Sequence, residues 1–217
     1  MEFISNRVLL LSVMALPFLV AVTLREAGRS FMAYKLGDQT QKASGRMSLN
    51  PLVHAHPIYT GLLPAISFLS GMPFLLGFAK PVVVQSAFFR KLRRDLALMA
   101  LAGPLTNLTL AFLSAGLMRL AVNYGLTANS WIVNTTAFGV LMNCMFLVLN
   151  ILPIPPLDGG KLLEQFLPYH FAQGFRSVEP YAFLIILGII IVAPGIIVTP
   201  TYMLASAIIG VFGLSAF

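Results

Sequence analysis

A chain of 217 residues that is 58% hydrophobic and only 10% charged, with a mean hydropathy of +0.88, lies far outside soluble composition, where about a quarter of residues are charged. Its net charge of +7 sits beside apolar runs and forms no aromatic-interleaved basic surface, which argues against nucleic acid and for a basic membrane face. The lone cysteine, Cys144, excludes an internal disulfide.

In chain order, runs at about 8–34, 96–122, 132–152, 178–195 and 197–217 are long enough for a hydrocarbon core of roughly 30 Å, which takes about 20 helical residues. The first run has few basic residues ahead of it and no small-residue cleavage site, so it is expected to be a retained span and not a removed leader. A further apolar stretch, about 58–78, is interrupted by Pro64, Gly71 and Pro73. Such a stretch is expected to re-enter the membrane, with its backbone shielded by protein; the alternative, a full span, would split the flanking basic residues across both sides. Re-entry puts Lys35, Lys42, Arg46, Lys80, Arg90, Lys91, Arg93, Arg94, Lys161 and Arg176 on one side, which the positive-inside rule makes cytoplasmic. The run "APGIIVTP", with Pro194, Gly195 and Pro200, breaks the last apolar region into a pair.

Four strings carry the chemistry: "REAGRSFMAYKLGDQT", "GRMSLNPLVHAHP", "GFAKPVVV…RRDLALMALAGPLTNLTLA" and "NILPIPPLDGGKLL". Their order and spacing, from about Ala21 to Leu163, closely resemble the bacterial branch of the site-2 proteases, zinc-dependent intramembrane metalloproteases. That resemblance implies a His-Glu-x-x-His helix, whose imidazoles at i and i+4 bind zinc and whose glutamate activates water. It also implies a distant aspartate, in a Leu-Asp-Gly motif, as third ligand. By position Glu26 is the base and Asp158 the third ligand, while Arg25 and Arg29 stand where the two histidines would be.

A guanidinium has no free lone pair and a pKa above about 12, so it cannot ligate zinc. The sequence is therefore expected to encode a pseudoprotease: a catalytically dead homologue with no cofactor. Two arginines opposite two carboxylates match the charge of zinc plus the two carboxylates. Arg25, Arg29, Glu26 and Asp158 are expected to form a structural ion-pair network tying the first and third core helices by paired hydrogen bonds. The bland alternative has the arginines snorkelling to the cytoplasmic interface.

His54 and His56 lie where the resemblance implies His-x-Asp-Pro, and they offer a relocated metal site with Asp158 or Glu26. The ordinary reading makes them polar loop histidines, and His170 an interfacial one. Gly103 and Pro104 are expected to shape a helix start or kink. The resemblance places Asn107 and Asn150 beside the substrate or oxyanion. In "LPIPPLDGG" the prolines and glycines imply unwound backbone at the aspartate.

The expected architecture is an all-α polytopic membrane protein of about five to six transmembrane helices, with a site-2-protease-like three-helix core and a re-entrant stretch. It forms one transmembrane domain over 1–217, divided into a core, 1–163, and a C-terminal helix pair, 164–217. The expected function is a structural subunit or adaptor binding transmembrane helices of partner membrane proteins, with anionic lipids near Arg90, Lys91, Arg93 and Arg94, in a bacterial inner membrane. The alternatives are a metalloprotease with the relocated site and an anion-binding transporter built on Arg25 and Arg29.

Overall fold

The computed structural model describes residues 2–71, 75, 77–80 and 82–214, with side chains from residue 7 onward. Among these residues the chain is entirely helical and irregular, without strands. Helix α1 (Glu2–Lys35) is followed by the short helices α2 (Thr40–Ala43) and α3 (Pro51–His54), a π-helical turn Pro57–Leu62 and α4 (Leu63–Leu69). Then come α5 (Leu92–Asn123), α6 (Trp131–Ile151), α7 (Asp158–Glu164), α8 (Tyr169–Arg176), α9 (Ala182–Val192) and α10 (Gly195–Val211). Among the described residues, four helical stretches are long and apolar enough to cross a membrane: Arg7–Lys35, Leu92–Asn123, Trp131–Ile151 and Tyr169–Val192. Pro57–Leu69 and Gly195–Val211 are shorter apolar helices. At about 1.5 Å per residue, the 13 residues of Pro57–Leu69 reach roughly 20 Å, short of a full crossing. Pro73, one of the breakers read in the sequence, lies outside the described residues, as does Pro81.

Helix α6 is central. It is apolar on every side, as a helix enclosed by protein can be, and 67% of its most apolar window is buried, against 6% for Tyr169–Val192. Met142, Met145, Phe146 and Leu149 pack on Met14, Phe18 and Val22 of α1, together with Leu75, Ala79 and Ile197. On its other side, Val140 and Cys144 meet Ala111 and Ala115 of α5 and Ala205, Ile208 and Ile209 of α10. Small residues permit these approaches, as is usual between membrane helices. A Cβ on Gly28 would lie 2.3 Å from Thr106 Oγ1, so α1 and α5 cross there in near contact. Gly103 and Pro104 are inside α5 and do not start it.

Between α6 and α7 the backbone unwinds over 152–157, and the helix resumes at Asp158. Gly159 and Gly160 are required at this joint. A Cβ on Gly159 would sit 2.0 Å from the Ile151 carbonyl oxygen, and one on Gly160 2.5 Å from the Ile154 carbonyl carbon. Backbone against backbone leaves no side chain free to yield.

Candidate functional site

Positions 18, 22, 26, 29 and 33 share one face of α1, and that face turns inward. Phe18, Val22, Glu26, Arg29 and Ala33 are all buried. The same geometry carries Arg25 and Arg29 into the molecule, with side chains only 14% and 9% exposed. They do not reach out to an aqueous interface. Arg25 Nη1 donates to Glu26 Oε1 at 2.6 Å, and its Nη2 to Asp158 Oδ2 at 2.6 Å and to Asn150 Oδ1 at 2.8 Å. Arg29 Nη1 makes longer ion pairs, 3.4 Å to Asp158 Oδ1 and 3.7 Å to Glu26 Oε1. The Arg25 guanidinium therefore forks between two carboxylates. It does not clasp one of them through two parallel bonds, as the sequence reading expected.

Two further contacts complete the cluster. Glu26 Oε2 accepts a hydrogen bond from the Val82 N–H at 3.2 Å, and Asn150 Nδ2 donates to the Phe146 carbonyl at 2.8 Å. Gly103 of α5 lies against the centre: a Cβ there would be 2.7 Å from Asp158 Oδ2 and 3.1 Å from Arg25 Nε. Four segments, α1, α5, the α6–α7 joint and the 77–85 stretch, meet on one charge-balanced group. Asn107, fully buried, has no partner for its amide among the described residues.

Residues 77–80 and 82–85 are held by backbone and side-chain hydrogen bonds. Phe78 N–H donates to the Tyr59 carbonyl at 3.0 Å, and Lys80 N–H to the His54 carbonyl at 2.7 Å. Gln41 Nε2 donates to the Val83 carbonyl, and the Gln85 N–H to Asp38 Oδ2 at 3.0 Å. Burial pushes the Asp38 carboxyl up, yet the hydrogen bonds from Thr40 and Gln85 hold it below its ordinary value. Each histidine makes one local ring hydrogen bond, while the buried His54 Nδ1 has no partner among the described residues. His54 Nε2 bonds the Ser48 carbonyl at 2.8 Å, while His56 Nδ1 accepts from the Ile58 N–H at 3.3 Å and its ring stacks on Tyr59. Among the described residues no three His, Cys, Asp or Glu side chains gather to hold a metal, so His54, His56 and Asp158 are not brought together.

The model for peptidase family M50 matches residues 114–193. A protein of Bacillus subtilis (strain 168) named "Putative zinc metalloprotease YwhC" is 30% identical over 198 residues, covering 89% of this chain and 87% of its own length. The chain belongs to peptidase family M50. This M50 chain is also similar to "Putative zinc metalloprotease Rip2" of Mycolicibacterium smegmatis (strain ATCC 700084 / mc(2)155), 32% identical over 174 residues, 80% of the chain and 64% of that relative. For the Rip2 of Mycobacterium tuberculosis (strain ATCC 25618 / H37Rv) the identity is 34% over 177 residues, 82% of the chain and 65% of the relative. The chain thus spans just under two-thirds of the mycobacterial proteins. No solved structure matches it.

These relatives correct one expectation. The sequence reading set the chain outside the enzymes, as a catalytically dead homologue. The relatives carry zinc metalloprotease names and the family is a peptidase family, so the M50 chain stands among protease homologues.

The family's zinc ion is a separate question, and here the donors do not fit it. The two positions one helical turn apart on α1 present guanidinium groups, which donate hydrogen bonds and have no lone pair for a metal. Arg25 Nη1 and Nη2 also occupy the space between Glu26 and Asp158, at 2.6 Å from each. The carboxylate charge that a cation would neutralise is already neutralised.

Three contributors escaped the sequence reading. The Val82 backbone and the Gly103 Cα carry no side-chain chemistry, so only their tertiary position reveals them. Lys161, read only as a flanking charge, lines a pocket with Arg29.

Proposed function

We propose that this M50 chain binds a transmembrane segment of another integral membrane protein, as an adaptor or a subunit of a larger membrane complex, in a bacterial inner membrane. The observation that carries this reading is a groove of about 430 Å³ on the side of α1 formed by Leu24, Ala27, Gly28 and Phe31, with Met47 and Leu49 on one wall and Thr106 and Leu110 of α5 on the other. Apolar walls over a small-residue floor suit an incoming apolar helix, which packs by close approach. Thr106 and Thr109 bond their own helix, to the Ala102 and Leu105 carbonyls, so neither hydroxyl needs a partner from the occupant. The charge cluster stiffens the wall behind it. Arg90, Lys91, Arg93 and Arg94, at and just before the start of α5, hold that end at an anionic lipid surface.

The relatives' names support a second reading, in which the bound segment is cut. One experiment addresses both. A photo-crosslinking amino acid replaces Leu49, which is 73% exposed in the groove wall, and, as a control, Leu113, which is 58% exposed elsewhere on α5. Irradiation in native membranes is expected to give one dominant membrane-protein adduct from Leu49 only. Equal labelling from both positions would overturn the binding reading. Intact adduct supports an adaptor, whereas adduct to a fragment that becomes full-length in Glu26→Gln supports cutting.

A further inference from the structure

A second cavity, of about 350 Å³, lies between the start of α5 and α7–α8. Arg29, Lys161, Gln165 and Arg176 supply its polar wall, Glu164 the only carboxylate among the described lining residues, and Val82, Leu96 and Met99 an apolar floor. The charges do not balance. Arg25 and Arg29 answer Glu26 and Asp158, and Arg176 is taken by Glu164 through Nε at 2.7 Å. Lys161 is left over: among the described residues no carboxylate lies within ion-pair distance of it. The buried Arg29 Nε also has no hydrogen-bond partner there.

We propose that this cavity is a binding site for a phosphate group, held by Lys161 and Arg29 with Gln165 and Arg176 at its rim. A half-buried ammonium beside a guanidinium is unfavourable unless an anion joins them. Burial, and next the Arg29 charge, pull the Lys161 pKa below the usual lysine value, and Asp158 and Glu179 do not offset them. A phosphate offers several acceptor oxygens, enough to meet both cations, and forms charge-assisted bonds with each. The exposed Arg93 lies one turn before Leu96 on the same face of α5. The phosphate belongs either to a membrane phospholipid headgroup or to a small soluble phosphate.

The test uses the full chain in non-ionic detergent, read by thermal unfolding. One arm titrates inorganic phosphate against chloride at equal ionic strength. The other adds phosphatidylglycerol against phosphatidylcholine. Either probe is expected to raise the midpoint of the unmodified chain, and Lys161→Met is expected to weaken the apparent affinity by about tenfold or more. The remote Arg119→Met should leave it unchanged. Stabilisation by phosphate alone assigns a soluble ligand, and by phosphatidylglycerol alone a headgroup. Should Lys161→Met fail to fold, Lys161→Gln takes its place. Equal affinities in Lys161→Met and the unmodified chain, or no stabilisation by either probe, would overturn the site.

Discussion

Arg25 and Asp158, 133 positions apart in the chain, meet at 2.6 Å in the centre of the molecule. The contact joins the first long helix to the helix start after the unwound 152–157 joint. Its second guanidinium nitrogen is on Glu26, so one side chain answers two buried carboxylates.

Removing the charge of Asp158 should therefore destabilise the fold. Asp158→Asn keeps the shape but leaves Arg25 and Arg29 sharing one carboxylate, and breaking a buried pair from one side costs on the order of 3–5 kcal/mol. A lower folded yield and a lower unfolding midpoint in detergent are expected. Equal midpoints for the variant and the unmodified chain would show that the network adds nothing to stability.

The glycines should rank by what their Cβ would meet. Gly159→Ala drives a carbon to 2.0 Å from the Ile151 carbonyl, and the chain should fail to fold. Gly103→Ala meets Asp158 Oδ2 at 2.7 Å, a pinned side chain, and overpacking of this kind costs about 1–3 kcal/mol. Gly188→Ala meets nothing within 4 Å in α9, so it should be neutral or better by up to about 1 kcal/mol. Unfolding midpoints of the three variants test the order.

The metal prediction follows from the donors. Purified without a histidine tag, the chain should carry less than about a tenth of a zinc ion, because guanidinium groups cannot ligate it. The double variant Arg25→His, Arg29→His restores imidazoles one turn apart facing Asp158 and should take up roughly one zinc per chain. Elemental mass spectrometry of both proteins decides. Stoichiometric zinc in the unmodified chain would refute the charge-substitution account.

Asp38 sets an acid limit. Its folded pKa lies below the ordinary carboxylate value, so its contribution is fully present above the unfolded value and is lost as pH falls through the folded one. Between about pH 5 and pH 3, the midpoint should fall less steeply in Asp38→Asn than in the unmodified chain. Identical slopes would mean that the bonds to Thr40 and Gln85 contribute nothing through this charge.

The site is legible in the sequence to an uneven degree. Arg25, Glu26, Arg29 and Asp158 stand out because a resemblance supplies the pattern from which two residues depart. His54 and His56 look like ligands in sequence, yet one ring nitrogen of each bonds nearby backbone, at Ser48 and Ile58. Nothing in "HAHP" announces that, because local backbone geometry decides it. Likewise, i, i+4 spacing gives Arg25 and Arg29 a common face without saying whether that face looks inward.

By itself the sequence determined the membrane class, the long helices and the family. Those follow from apolar run length, which is a local quantity, and from strings long enough to be distinctive. The tertiary structure alone decided that the arginines turn inward, that Arg25 divides its donors between Glu26 and Asp158, and that no described carboxylate comes within ion-pair distance of Lys161. Each depends on side chains from segments far apart in sequence meeting in one low-dielectric interior, where the geometry of every partner must be met at once.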